Sequence, residues 1–261
     1  MSDDRLKNKT LVEIEKYLIR NGSSLTRWPT IPYPDYDSFA VGNNRLVDEE
    51  LSFSVPEVQS ELDSLKSSLT DEQLYVYNQI MTAVEGDKGG VFFVYGYGGT
   101  GKTFLWKTLA LTVRSREQIV LNVASSGIAS LLMSRGRTAH SRFHIPINLD
   151  ESSMCHIRPD GDVAYLLKQT RLIIWDEAPM VHRHAFEALD RTLKDIFIDK
   201  SNCQSDVLFG GKVIVFGGDF RQILLVVSNG GRQEIVNAAL CPLLRLTRNM
   251  RLIVGRSTSE N

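Results

Sequence analysis

The chain has 261 residues, 43% of them hydrophobic, with 30 basic against 31 acidic side chains. That composition supports one sizeable core with extra segments, or two small domains. It excludes a globally basic surface, so any nucleic-acid contact must be local.

The N-terminus, MSDDRLKNKT, lacks an apolar signal core, and no run of about 18 apolar residues occurs. The three cysteines, Cys155, Cys203 and Cys241, are odd in number and form no CxxC pair. Neither a disulfide framework nor a zinc site is therefore indicated. The expectation is a soluble intracellular protein with reduced thiols and no membrane partner.

Residues 1 to 67 read as an extension, mostly helical or irregular. Leu11, Ile14, Leu18 and Ile19 fall at helical spacing, and Asn21-Gly22 is a helix stop. Trp28-Pro29, Ile31-Pro32 and Tyr33-Pro34 then punctuate an extended stretch that should not be helical. Residues 35 to 55 are polar and weakly patterned, and the region has room for one or two helices.

From Leu69 the pattern alternates strongly. Strands are predicted at Val91 to Tyr95, Ile119 to Ala124, Leu172 to Trp175, Lys212 to Phe216 and Leu244 to Leu246. Helices are predicted from Lys102 to about Thr112, Gly127 to Ser134, Arg183 to Phe197 and near Gln233 to Ala239. Strands alternating with helices imply a three-layer α/β fold with a parallel sheet. Residues 141 to 165, with His144, Pro146 and Pro159, look like an insertion into a domain spanning 68–255. Residues 256–261 form a polar tail.

VFFVYGYGGTGKT places Gly96, four residues, then Gly101-Lys102-Thr103 between a predicted strand and a predicted helix. Gly96, Gly98, Gly99 and Gly101 let the backbone curl so that the N–H groups of the loop, Thr100 included, face anionic oxygens. The helix N-terminus adds positive potential. Lys102 would reach the β- and γ-phosphates, and the Thr103 hydroxyl would ligate magnesium. This is a nucleoside-triphosphate loop.

LIIWDE puts Asp176 and Glu177 at the C-terminal end of an apolar strand, the end that faces the ligand crevice in a parallel sheet. Asp176 would hold Mg2+, directly or through water. Glu177 would orient and deprotonate the attacking water. An acidic turn alone would read as an ordinary strand end, but the upstream phosphate loop reverses the odds. No Asn-Lys-x-Asp guanine signature is present.

Taken together, LTDEQ (69–73), GYGGTGKT (96–103), ASSGIASLL (124–132), GRTAHSRF (136–143), DEAPM (176–180), GGDFRQIL (217–224) and NMRL (249–252) resemble the Pif-type DNA helicases of superfamily one, relatives of RecD and of Helitron helicases. The wording is closest to plant forms and the order is preserved from 69 to 252. The resemblance implies a RecA-like P-loop NTPase domain that hydrolyses ATP and acts on single-stranded DNA or junctions. It also implies duplex unwinding in repair, recombination and telomere maintenance, in the nucleus or, as the alternative, the mitochondrion.

Residue by residue, the resemblance gives Gln73 to adenine recognition. Thr70 and Gln73 also match a capping box, and both readings stay open. Ser125, Ser126 and Gly127 match a segment that contacts the strand backbone, with a plain helix cap as the competing reading. Thr138, His140 and Ser141 match a second strand-contacting segment. Phe143 would either stack on a base or sit in the core. Gln222 matches a γ-phosphate sensor, flanked by Asp219 and Arg221. Arg251, with Arg248 as fallback, matches the arginine that touches the γ-phosphate.

Two departures stand out. Leu225 replaces a usual proline, and the sequence ends just after NMRL, before a second motor domain. Translocation needs two domains closing on ATP. The expectation is a fragment, a truncated product or a degenerate transposon-derived copy, and a competing function is an ATP- and single-strand-binding module that does not unwind.

Overall fold

The computed structural model describes residues 44–86, 89–197, 207–219 and 244–245, together with 7, 10, 11, 14, 15, 17, 18, 23–28 and 30–34. The chain divides into two compact units, Met1–Arg45 and Leu46–Asn261. In the first unit Lys7, Thr10, Leu11, Ile14, Glu15, Tyr17 and Leu18 are helical, as the apolar spacing predicts. The Glu15 carboxylate accepts from the Ser24 hydroxyl at 2.6 Å and from the Leu25 N–H at 2.6 Å. A single turn of 3-10 helix, Leu25–Arg27, precedes the proline-punctuated stretch, whose described residues are not helical.

Helix α1 (Arg45–Leu51) begins at the last residue of the first unit, and α2 (Val55–Ser67) and α3 (Asp71–Gly86) follow it in the second. The alternating part follows: β1 (Gly90–Tyr95), α4 (Lys102–Arg114), β2 (Ile119–Ala124), α5 (Gly127–Leu131), β3 (Arg137–Thr138), α6 (Ala139–Phe143), α7 (Asp162–Gln169), β4 (Thr170–Asp176), α8 (Arg183–Phe197), β5 (Val213–Gly218) and β6 (Leu244–Arg245). The strands form one parallel sheet in the order β3-β2-β4-β5-β1-β6.

Strand side chains alternate between two cores, which is why the strands read as continuous apolar runs. Leu172 and Ile174 of β4, with Val213 and Val215 of β5, face α3 and α4. Ile173 and Trp175, with Ile214 and Phe216, face α7 and α8. This is the expected three-layer α/β fold. Helix α5 is shorter than predicted, ending at Leu131, where the chain turns back toward the edge strand β3. The 141–165 stretch begins inside α6 and runs through loops to α7. The helix expected near Gln233 to Ala239 lies outside the described residues.

The order of the strands positions the site. From β1 the chain crosses over β5 and β4 to reach β2. The loop after β1 and the end of β4 therefore lie either side of β5, at the switch point where a crevice opens in such sheets.

Candidate nucleotide and strand-binding site

The loop between β1 and α4 reaches the helix through glycines in the left-handed region. Gly99 has φ 92° and Gly101, the residue capping α4, has φ 81°. A side chain at either position would strain the turn, so glycine is what allows the loop to curl over the N-terminus of α4. Lys102 donates from its ammonium to the carbonyls of Gly96 and Tyr97, which holds its charge over the loop. Thr100 is buried, and its hydroxyl donates to the Tyr97 carbonyl at 3.0 Å.

A cavity of about 560 Å3 opens beside this loop, lined by Tyr97, Lys102, Thr103, Leu132, Asp176 and Glu177 among others. Phosphate-loop and acidic residues predicted from separate motifs thus meet around one space. Asp176 ends β4 and is 7% exposed, and its buried Oδ1 has no hydrogen-bond partner among the described residues. Burial raises its pKa, with the Glu177 backbone N–H, the Trp106 indole and the Lys102 ammonium opposing that shift. Among the described residues Trp106 Nε1 makes no hydrogen bond within normal distance, although its N–H lies close enough to favour the Asp176 carboxylate.

Glu177 sits at φ 53°, a conformation that costs a non-glycine residue about 1–3 kcal/mol and concentrates at functional sites. Burial raises its carboxyl pKa first, the neighbouring Asp176 second, and Asp219 adds to the rise, while Lys102 opposes it. A carboxyl raised in this way is a stronger proton acceptor.

The sequence does not mark Gly217 as a site residue, although it stands in the GGDFRQIL string. A Cβ there would overlap the Trp106 indole and approach Asp176 Oδ1 to 3.1 Å, so its missing side chain is what lets Trp106 back the acidic pair. Trp106 carried no sequence signal, because its role depends on the close approach of α4 to β5.

Of the two readings of Gln73, the capping box has a geometric counterpart, and the side-chain amide is engaged. Gln73 Oε1 accepts from the Thr70 N–H at 3.1 Å, and the Gln73 N–H donates to Thr70 Oγ1 at 3.4 Å, completing the capping box. Its Nε2 donates to the Thr100 carbonyl at 3.1 Å, tying α3 to the phosphate loop.

The strand-contact candidates lie at the C-terminal ends of β2 and β3. The Ser125 hydroxyl accepts from the Trp175 indole at 3.0 Å, and the Ser125 N–H donates to the Asp176 carbonyl at 3.1 Å. Ser126 caps α5 through its hydroxyl, which accepts from the Ala129 N–H at 3.1 Å. Gly127 is exposed and faces open space. Thr138 caps α6, accepting from the Ser141 N–H at 3.3 Å. Ser141 is exposed, and the half-buried His140 has its pKa lowered by burial.

Phe143 corrects one expectation. It is 0% exposed and packs against Trp175 with ring centroids 5.8 Å apart, so no face is left for a base and the core reading is the one observed. It is the fifth residue of α6 and shares the inward face with Ala139, which turns it away from solvent. Gln222, Arg221, Arg248 and Arg251, and the departure at Leu225, lie outside the described residues.

Residues 68–261 match the family model described as PIF1-like helicase. The chain is similar to the ATP-dependent DNA helicase Pif1 of Psychrobacter sp., with 32% identity over 140 residues, covering 53% of this chain and 20% of that protein. It is similar to the ATP-dependent DNA helicase PIF4 of Trypanosoma brucei brucei, with 26% identity over 150 residues, covering 56% of this chain and 18% of that protein. Among solved structures it resembles Pif1 helicase from Bacteroides in complex with ADP-AlF3 and ssDNA, at 27% identity and TM-score 0.54, covering 70% of this chain and 43% of that one. Bacteroides Pif1 bound to ssDNA gives 25% identity and TM-score 0.55, covering 70% and 42%. The chain spans a fifth or less of the length of these curated relatives and under half of the solved chains.

Proposed function

Because the chain belongs to the PIF1-like helicase family, we propose that residues 68–255 form an ATP-hydrolysing motor domain that acts on single-stranded DNA. The observation carrying this reading is the meeting of the phosphate loop and the acidic pair around one cavity of about 560 Å3. Lys102 and the loop amides of Gly96 to Thr103 bind the phosphates. Glu177 accepts the proton of the attacking water. Gln222 and Arg251 are assigned to the γ-phosphate by their positions in the sequence, and Gln73 to the adenine side of the loop.

Thr103 and Asp176 supply hard oxygen donors suited to Mg2+, and the orphaned buried Asp176 Oδ1 is the atom that fits such an ion. A bound magnesium ion neutralises phosphate charge and polarises the γ-phosphoryl oxygens. The chain's own residues bind the phosphates, orient the water and accept its proton.

Ser125, Ser126 and Gly127, with Thr138, His140 and Ser141, are proposed to hold the strand backbone at the neighbouring strand ends. Support comes from two Bacteroides relatives whose structures are described as bound to or in complex with ssDNA. The Ser125 N–H to Asp176 carbonyl bond joins that surface to the acidic pair, a direct route by which strand binding could bias hydrolysis. For the whole protein we propose duplex unwinding at single-strand to duplex junctions, in repair, recombination and telomere maintenance, in the nucleus with the mitochondrion as the alternative. Stepping needs a second motor domain closing on the site. The described residues hold one parallel sheet, so the domain alone is assigned nucleotide and strand binding and hydrolysis, without unwinding.

The test measures ATP turnover by the 261-residue chain with and without oligo-dT. DNA-stimulated turnover is expected. Nucleotide binding with no turnover under either condition would favour the non-enzymatic binding module and remove the motor assignment.

A further inference from the structure

Helix α6 has five residues, too few to hold a helical conformation alone, so its neighbours must set its orientation. Ala139, Arg142 and Phe143 fall on one face and are buried. Ser141 is exposed and His140 half-buried. Whatever satisfies Arg142 and Phe143 therefore decides which way His140 and Ser141 point.

Phe143 is held by Trp175. Arg142 is 5% exposed, and its Nη2 donates to Glu50 Oε1 at 2.5 Å in an ion pair whose side chains are 5% and 6% exposed. Among the described residues its Nε has no partner, and Glu50 is the largest favourable influence on its buried charge. Glu50 itself is fixed by α1. Val47, one helical turn earlier on the same face, sits in the core beneath α7 and α8. Arg135 donates to the carbonyls of Glu49 and Ser52, satisfying the C-terminal end of α1. Its guanidinium also lies 5.9 Å from the Phe53 ring centroid. The exposed Arg137–Glu49 pair, at 3.6 Å, adds little.

We propose that Glu50, which lies upstream of the family-matched residues 68–261, is a positioning residue for DNA binding: its buried pair with Arg142 sets the rotation of α6 and so presents His140 and Ser141 to the strand. Without Glu50 the buried guanidinium loses its ion-pair partner. Turning α6 to hydrate Arg142 would swing its other face, and with it the strand contacts. The inference rests on the reading that residues 138–141 touch single-stranded DNA.

The test uses the full chain and three variants: Glu50→Gln, Arg135→Ala and the pair Thr138→Ala with His140→Ala. Oligo-dT affinity is read by fluorescence anisotropy, nucleotide affinity with a fluorescent ATP analogue, and local order by amide hydrogen exchange. Glu50→Gln is expected to weaken oligo-dT binding about tenfold, with nucleotide affinity within about twofold of the parent. Its exchange should rise at residues 138–143 and stay unchanged in α4, a pattern that general destabilisation would not produce. Arg135→Ala, which loosens α1 without touching the buried pair, should weaken strand binding about two- to threefold and carries the test if Glu50→Gln does not fold. Parental oligo-dT affinity in both folded variants, or in Arg135→Ala alone where Glu50→Gln is unfolded, overturns the proposal. If the Thr138/His140 variant also binds normally, the strand-contact reading itself is lost. If that variant binds weakly while the other two bind normally, only the role of Glu50 is lost.

Discussion

The nucleotide cavity and the 125–143 segment both lie at the C-terminal ends of parallel strands, yet they use their polar atoms in opposite ways. Around the cavity, Asp176 Oδ1 is buried and unpartnered among the described residues, and Glu177 holds a left-handed backbone at φ 53°. Costs of this kind concentrate where a ligand or reaction uses the groups. In the neighbouring segment the Ser125 hydroxyl already accepts from Trp175, Ser126 and Thr138 each cap a short helix, and Phe143 is core. A phosphate arriving there meets hydroxyls that have accepted one hydrogen bond and keep a donor and a second lone pair. The first region holds a buried carboxylate atom open toward the cavity, and in the second the hydroxyls of Ser125, Ser126 and Thr138 are each satisfied once with capacity to spare.

The contrast can be broken most sharply at Glu177. Glu177→Gln should lower ATP turnover about 10²–10⁴-fold, the contribution of a general base, while nucleotide binding persists. Turnover near the parental rate, measured by phosphate release, would move the base elsewhere.

Phe143→Ala should cost about 3–5 kcal/mol of stability, as removal of a buried aromatic does, read as a large fall in denaturation midpoint. Unchanged stability with lost strand affinity would return Phe143 to the DNA surface.

Gln73→Ala should cost about 1–2 kcal/mol, from the loss of a cap and of a buried hydrogen bond to Thr100. Unaltered melting accompanied by loss of preference for ATP over GTP would instead favour the adenine reading.

The smallest effect is expected at Cys155, where burial raises the thiol pKa to about 11 from an ordinary 9.0. The folded chain keeps this thiol protonated, while the unfolded chain ionises it above 9.0. Stability contributed by Cys155 is therefore intact below pH 9.0 and is lost as pH rises toward about 11. At pH 8 an alkylating reagent should leave Cys155 unmodified in the native protein and label it after denaturation, as mass spectrometry would report. Ready labelling of the native protein would contradict this burial.

How much was legible in advance follows the range of the interactions. The strands at Ile119–Ala124 and Thr170–Asp176 declare themselves as apolar runs because both their faces are covered. The phosphate loop is legible because its glycines, its lysine and the helix start are contiguous in the chain. Asp176 and Glu177 are legible because a parallel strand delivers its C-terminal residues to the crevice whatever lies around it. The closeness of Trp106 and Gly217 to Asp176 was not legible, since it depends on how α4 packs over β5.

By itself the sequence determined the fold class and the order of the elements, and it singled out the candidate phosphate-binding and acidic residues, because these depend on local periodicity and contiguous motifs. Tertiary structure alone decided which of those atoms are free. It engaged the Gln73 amide with Thr70 and Thr100, placed Phe143 in the core, left Asp176 Oδ1 without a partner among the described residues, and set Glu50 against Arg142 from 92 residues away. A hydrogen-bonding atom is available to a ligand only if no neighbour in space has already claimed it, and neighbours in space are what a linear sequence does not order.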